Sequence, residues 1–260
     1  MGEVSRKTTS PLDAMMRRAS WLVRLWRQVG GGEPLVLLGA LSVAAVLWVF
    51  LWLAGEVMEG DTHAFDQALL MALRVPGNPA EPIGPLWLDI AARDITSLGG
   101  YPILTLVTSF AVGFLVIARK PSAALLVLVA VGGGALLSNS LKDLFGRPRP
   151  ELVPHIVEVY TLSFPSSHAM LSTVTYLTLG ALLARFQPER RMKAYLLTMA
   201  LLLALLTGAS RVYLGVHWPT DVLAGWCAGA AWAILCWTVA LFLQQRGRVE
   251  GRVHEEEGGS

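Results

Sequence analysis

Three short stretches of this chain carry residues able to do chemistry, each set among long apolar segments. The first runs from Lys142 to Pro150 and includes Arg147 and Arg149. The second is Pro165, Ser166, Ser167 and His168; the third is Ser210 and Arg211, followed by His217 and Asp221. Phosphate esters are densely negative, and displacement at phosphorus spreads charge over the equatorial oxygens. Its catalysis rests on positioning and on well-aimed cations and donors. Two histidines, three cations (Lys142, Arg149, Arg211) and one carboxylate meet that need without calling for a metal. In an otherwise apolar chain such residues are functional candidates.

Each position has a plainer reading. Lys142 stands at the end of an apolar run, where a lysine commonly snorkels to the interface. Arg149 and Arg211 carry planar forks that can each grip two phosphate oxygens. His217 and Asp221 are four apart and share a face if helical, although Pro219 leaves the local geometry open. A carboxylate on one ring nitrogen fixes the tautomer and sharpens the other nitrogen as a nucleophile. Asp221 also reads as an N-cap of the following helix, which is compatible with aiming the histidine. His168 opens an apolar run just after Ser166 and Ser167, where helix N–H groups and hydroxyls favour an anion and the ring can protonate a leaving oxygen.

The elements that must hold these residues are membrane helices. Of 260 residues, 54% are hydrophobic and 15% charged, with a mean hydropathy of +0.53, far too apolar for an ordinary soluble domain. Apolar runs near 35–54, 102–118, 121–141, 168–186, 194–214 and 219–243 predict six spans. The expected fold is all-α, a six-span bundle with short interfacial helices. Counted by these spans, 15 of the 21 basic residues fall at the amino-terminal side, so the positive-inside rule predicts cytoplasmic termini in an inner membrane. All three motifs then face the extracytoplasmic side. The first run follows a basic region without a clear cleavage site and reads as a retained anchor.

Residues 1–33 are expected to be a cytoplasmic basic segment, amphipathic over 11–28; 34–243 the membrane domain; and 244–260 a disordered polar tail. The acidic, proline-interrupted stretch 56–100 reads as two short helices on the outer interface, either near the site mouth or a mere covering. Gly132, Gly133 and Gly134 lie inside a span and suggest close helix packing. Cys227 and Cys236 fall about 13 Å apart along one helix, too far to pair. The basic residues form no patch with interleaved aromatics, so no nucleic-acid partner is expected.

Together the three motifs, Lys-x6-Arg-Pro, Pro-Ser-x-His and Ser-Arg-x5-His-x3-Asp, resemble those of the type 2 phosphatidic acid phosphatase family of membrane lipid phosphatases. The resemblance implies that His217 attacks phosphorus, oriented by Asp221, and that His168 protonates the leaving group. Lys142, Arg149, Ser166 and Arg211 would hold the phosphate, helped by backbone N–H groups near Ser167, with no metal and no other cofactor. The implied partners are membrane lipids and a lipid phosphate substrate: undecaprenyl diphosphate, phosphatidylglycerol phosphate or phosphatidic acid. A phosphotransferase with the same first contacts is the alternative, ahead of a transporter or a silent lipid-binding protein. Ser167 replaces the family's usual glycine and either narrows the pocket or adds a donor. Arg147 is an extra cation, for a second phosphate or for lipid headgroups. Oligomeric state is left open.

Overall fold

Apolar runs of this length have one way to satisfy their backbone in hydrocarbon, which is to fold as helices. The computed structural model describes residues 34–154, 157 and 161–245. The expected amino-terminal amphipathic segment and nearly all of the polar tail lie outside them. The helices are α1 (Pro34–Glu59), α2 (His63–Ala72), α3 (Leu86–Ser97), α4 (Tyr101–Ile117), α5 (Pro121–Phe145), α6 (Ser167–Arg185), α7 (Arg190–Tyr213) and α8 (Pro219–Gln245). Helices α1, α5, α6, α7 and α8 are each long and apolar enough to cross a bilayer. Their outward faces are large apolar side chains such as Leu38, Trp48, Leu136 and Leu206. The protein is a multi-pass membrane bundle.

The expected second span is the exception. Helix α4 has only 17 residues, and α3 precedes it across a 49° bend at residues 98–100; taken together the bent pair is long and apolar enough for a sixth span. The segment before α3 also differs from an all-helical expectation. Strands β1 (Arg74–Val75) and β2 (Asn78–Pro82) pair antiparallel, with Arg74 opposite Pro82 and Val75 opposite Asn78. Prolines at 76, 79 and 82 deny this stretch the N–H groups a helix needs, so a short hairpin forms instead, β2 mostly exposed and Arg74 of β1 buried.

Helix α6 is the central element, packed against α5, α7 and α8. Its seam with α8 is made of glycine. A Cβ on Gly225 would stand 2.7 Å from the Ser166 carbonyl, and one on Gly229 would stand 2.5 Å from the Met170 carbonyl. This small-xxx-small spacing lets two backbones touch in a medium that offers no hydrophobic drive between helices. The expected packing role of the Gly132–Gly134 run holds at two of three positions. Cβ atoms on Gly133 and Gly134 would meet Trp232 at 2.5 and 3.4 Å, while Gly132 faces open space.

Helix α1 joins through its carboxyl-terminal end. Phe50, Leu53, Ala54 and Val57 are buried with Phe164, Met170, Ala224 and Ala228. Phe164 stacks on Phe50 and meets Phe145 edge-on, so the loop before α6 is pinned from both sides. The end of α5 and the starts of α6 and α8 thereby gather at one end of the bundle.

Candidate active site

The glycine seam brings the starts of α6 and α8 together, and one backbone bond locks them: Ser166 N–H donates to the Asp221 carbonyl at 2.9 Å. Ser166 is the N-cap of α6, its hydroxyl accepting from Ala169 N–H at 3.5 Å. Asp221 is not the N-cap of α8, as its spacing suggested. It lies in the first turn and reaches back to Trp218 N–H, Oδ2 accepting at 2.9 Å, in the manner of the acidic member of a capping box. The backbone demand is met, and the carboxylate still faces His217.

His217 is buried at 1% exposure, in a loop shaped by Gly215. Gly215 has φ +76, and a Cβ there would stand 2.7 Å from Val153 Cγ2 and 2.8 Å from Arg74 Nη2. Only glycine fits both the left-handed conformation and the space. The ring is held at both nitrogens, Nδ1 lying 3.3 Å from Asp221 Oδ2 and Nε2 lying 3.1 Å from Arg149 Nη1. A guanidinium can only donate, so Nε2 accepts and the ring proton sits on Nδ1, toward the carboxylate. Nε2 therefore presents a lone pair amid cations. Burial first, and then the charges of Arg149, Arg211 and Lys142, hold His217 well below the ordinary histidine value.

Asp221 is itself fully satisfied. Oδ2 also accepts from the Ser163 hydroxyl, and Oδ1 accepts from Arg147 Nη1 at 2.6 Å. Arg147 bridges onward, its Nη2 donating to Asp66 Oδ2 at 2.7 Å. Asp66, wholly buried in the first turn of α2, accepts from Thr220 N–H at 2.9 Å and from the Thr220 hydroxyl at 2.6 Å. It thus caps α8 from a different helix and favours the positive end of that helix dipole. Neither role considered for Arg147, second phosphate or headgroups, matches this geometry. Its fork is spent on two buried carboxylates.

The remaining cations are held differently. Lys142, in the last turn of α5, donates to the Leu162 carbonyl. Arg149 donates through Nε to the Thr161 carbonyl at 2.6 Å and through Nη1 to the Val216 carbonyl at 2.6 Å. Burial lowers Arg149 from 12.5 to about 10, with Asp221 opposing, so it stays cationic at neutral pH. Arg211 donates to the Thr96 hydroxyl at 3.1 Å, and among the described residues its Nε–H has no partner. Lys142 and Arg211 are only 5% and 4% exposed. Among the described residues none of these three has a carboxylate in ion-pair contact. Burying positive charge without a counter-charge is strongly unfavourable, so this arrangement calls for an anion.

His168 faces the elbow between α3 and α4. A Cβ on Gly99 would come within 3.0 Å of its carbonyl, and one on Gly100 within 3.9 Å of Nε2. Thr96 and Gly99–Gly100 thus bring the 56–100 stretch into the site, beyond a covering role. Ser167 is buried at the first position of α6. It pairs with Ser138 Oγ at 2.9 Å, one helical turn before Lys142 on α5.

Lys142, Arg149, Ser166, Ser167, His168, Arg211, His217 and Asp221 therefore lie in or beside this cluster. Asp66, Ser163 and Thr96 were missed. Asp66 left one trace in sequence, a carboxylate on the helix face that carries Leu70.

Comparisons with known proteins agree with this picture. A model of the PAP2 superfamily matches residues 123–244. Phosphatidylglycerophosphatase B of Bacillus subtilis is 33% identical over 182 residues, 69% of this chain and 85% of that protein. An undecaprenyl-diphosphatase of Sulfolobus acidocaldarius is 40% identical over 68 residues, 26% of this chain and 29% of that protein. The crystal structure of a transmembrane PAP2 type phosphatidylglycerolphosphate phosphatase from Bacillus subtilis superposes with a TM-score of 0.71 at 29% identity. It covers 78% of this chain and 98% of that one. With the fold, the three motifs in order and a relative matched over most of its length, the chain belongs to the PAP2 superfamily of membrane phosphatases.

Proposed function

We propose that this protein is a metal-independent lipid phosphate phosphatase acting through a phosphohistidine on the extracytoplasmic face of the inner membrane, with both termini in the cytoplasm. The observation that carries the reading is the pairing of an oriented, neutral His217 with three cations that, among the described residues, have no carboxylate in ion-pair contact. The phosphoryl group sits among Lys142, Arg149 and Arg211, with Ser166 and the N–H groups at the start of α6 on its oxygens. The lone pair of His217 Nε2 forms a bond to phosphorus as the bond to the leaving oxygen breaks. That oxygen takes the electron pair and a proton from His168. Asp221 keeps the Nδ1 proton and stabilises the cationic ring. Water then attacks phosphorus, giving its proton to His168, and the P–N electron pair returns to Nε2.

Relatives named for phosphatidylglycerophosphate and undecaprenyl diphosphate support a lipid phosphate or diphosphate, with phosphatidic acid third. The side assignment rests on the basic residues of the connections opposite the site, Arg119, Lys120, Arg185 and Arg190 among them. The test is phosphate release from these three lipids in detergent with excess EDTA, comparing wild type with His217→Ala. Release by the wild type alone supports the reading, and the ranking names the substrate. Loss of release in EDTA overturns metal independence. Absence of release with any lipid overturns the hydrolase assignment, and transfer to a lipid acceptor would replace it.

A further inference from the structure

At the end of the bundle opposite the histidines, α5, α6 and α8 diverge and leave a cleft of about 520 Å³. That is within the roughly 300–1,000 Å³ usual for ligand sites. It is remote from the chemistry: α5 runs about 20 Å, at ~1.5 Å per residue, from Val129, its lining residue nearest the site, to Lys142. Its walls are apolar, formed by Leu126 and Val129 of α5, Leu182 of α6, and Trp232, Leu235 and Cys236 of α8. The Trp232 wall is fixed in place. Its indole lies against Gly133, and its N–H donates to the Ala130 carbonyl at 2.8 Å.

The mouth is basic. Lys120, just before α5, and Arg185, at the end of α6, both line it. The Lys120 ammonium stands 3.6 Å over the Phe186 ring, which holds its charge at the rim. Among the described residues neither cation has an ion-pair partner. Arg190, Arg191 and Lys193 begin the next helix and add to the same positive edge. Exposed Leu125 and Val239 also line the cleft, which therefore opens sideways toward hydrocarbon as well as toward the interface.

An apolar slot with a pair of cations at headgroup depth, neither ion-paired among the described residues, matches an amphiphile with a negative head. We propose that this cleft binds one anionic phospholipid of the adjacent leaflet. Its phosphate lies between Lys120 and Arg185, and an acyl chain lies against Leu126, Val129 and Leu235. A soluble phosphate would leave the apolar walls uncovered. The site is separate from the catalytic one, and the inference does not depend on the reaction assigned there.

Native mass spectrometry of the delipidated protein in detergent tests this. Phosphatidylglycerol and phosphatidylcholine of matched chains are titrated separately. The expected result is one retained phosphatidylglycerol, preferred at least fivefold over phosphatidylcholine. Retention should be lost in Lys120→Gln/Arg185→Gln, and also in Val129→Trp, which fills the slot and spares the rim charges. It should persist in Arg149→Gln/Arg211→Gln, which disarms the catalytic cluster. Equal retention of both lipids, retention unchanged by both cleft variants, or loss that follows the catalytic-cluster variant instead would each overturn the proposal. Gel filtration identifies any variant that has not folded. Val129→Trp decides the matter if the rim variant fails.

Discussion

Arg147 holds Asp221 by one oxygen, Nη1 to Oδ1 at 2.6 Å, and leaves the other oxygen to His217 Nδ1 at 3.3 Å. Its second nitrogen is anchored to Asp66, so the carboxylate behind the histidine is positioned from α2. Neither Arg147 nor Asp66 needs to touch substrate to matter. Asp66→Asn should lower kcat while leaving KM nearly unchanged, because it loosens the aim of His217 and not the phosphate cradle. Arg147→Met leaves two buried carboxylates without their cation and should cost about 3–5 kcal/mol of stability. Steady-state kinetics and thermal unfolding in detergent separate the two effects.

The pH profile follows from His217. Its neutral form is the nucleophile, and burial with neighbouring cations lowers its pKa well below 6.5. Activity therefore falls as pH drops through that lowered value, while the proton that His168 must supply limits it on the alkaline side. The acidic limb of kcat/KM should lie below the ordinary histidine range. Removing one neighbouring charge, as in Arg149→Gln, should move the His217 titration upward. Histidine-labelled NMR reads that shift directly, even in a variant with little activity. A limb at or above 6.5 in the wild type would contradict the environment described.

Ser167 offers a gentler test. Its hydroxyl is engaged with Ser138 at 2.9 Å, so Ser167→Gly removes one buried hydrogen bond between α5 and α6. The expected loss is about 1 kcal/mol of stability, with a kcat change of only a few-fold. A hundredfold fall in kcat at unchanged stability would mean that the hydroxyl serves the reaction itself.

His168 should behave differently from His217. His168→Ala removes a proton donor and should lower turnover by about 10²–10⁴ for ordinary lipid esters. A substrate with a good leaving group, such as a nitrophenyl phosphate, should recover much of that loss. His217→Ala should show no such rescue. Assays of both variants on both substrates make the comparison.

Much of the site was legible because its residue types are rare in apolar surroundings: Lys142, Arg149, His168, Arg211, His217 and Asp221 stand out along the chain. What could not be read was long-range pairing. Arg147 meets Asp66 across 81 positions, and nothing near Arg147 tells that its charge is already balanced. Thr96 was invisible for the same reason, its value lying wholly in Arg211 of another helix. The spans were readable from hydropathy, except where α3 and α4 meet at a bend that depends on packing against α7 and α5. Gly225 and Gly229 were present as a spacing but blended into a small-residue helix. Gly229→Val should destabilise the fold by about 1–3 kcal/mol through overpacking. Gly132→Ala, facing open space, should be neutral or mildly stabilising.

The glycine seam also makes the chemistry divisible. The link between α6 and α7 turns at the end remote from the histidines. A chain cut there yields one fragment with Lys142, Arg149 and His168 and another with Arg211, His217 and Asp221. Neither piece holds a complete set of reacting groups. Both keep their faces of the contact at Ser166, Met170, Gly225 and Gly229, the contact through which two co-expressed halves would find each other. Turnover in such a split protein becomes a direct report of helix association within the bilayer.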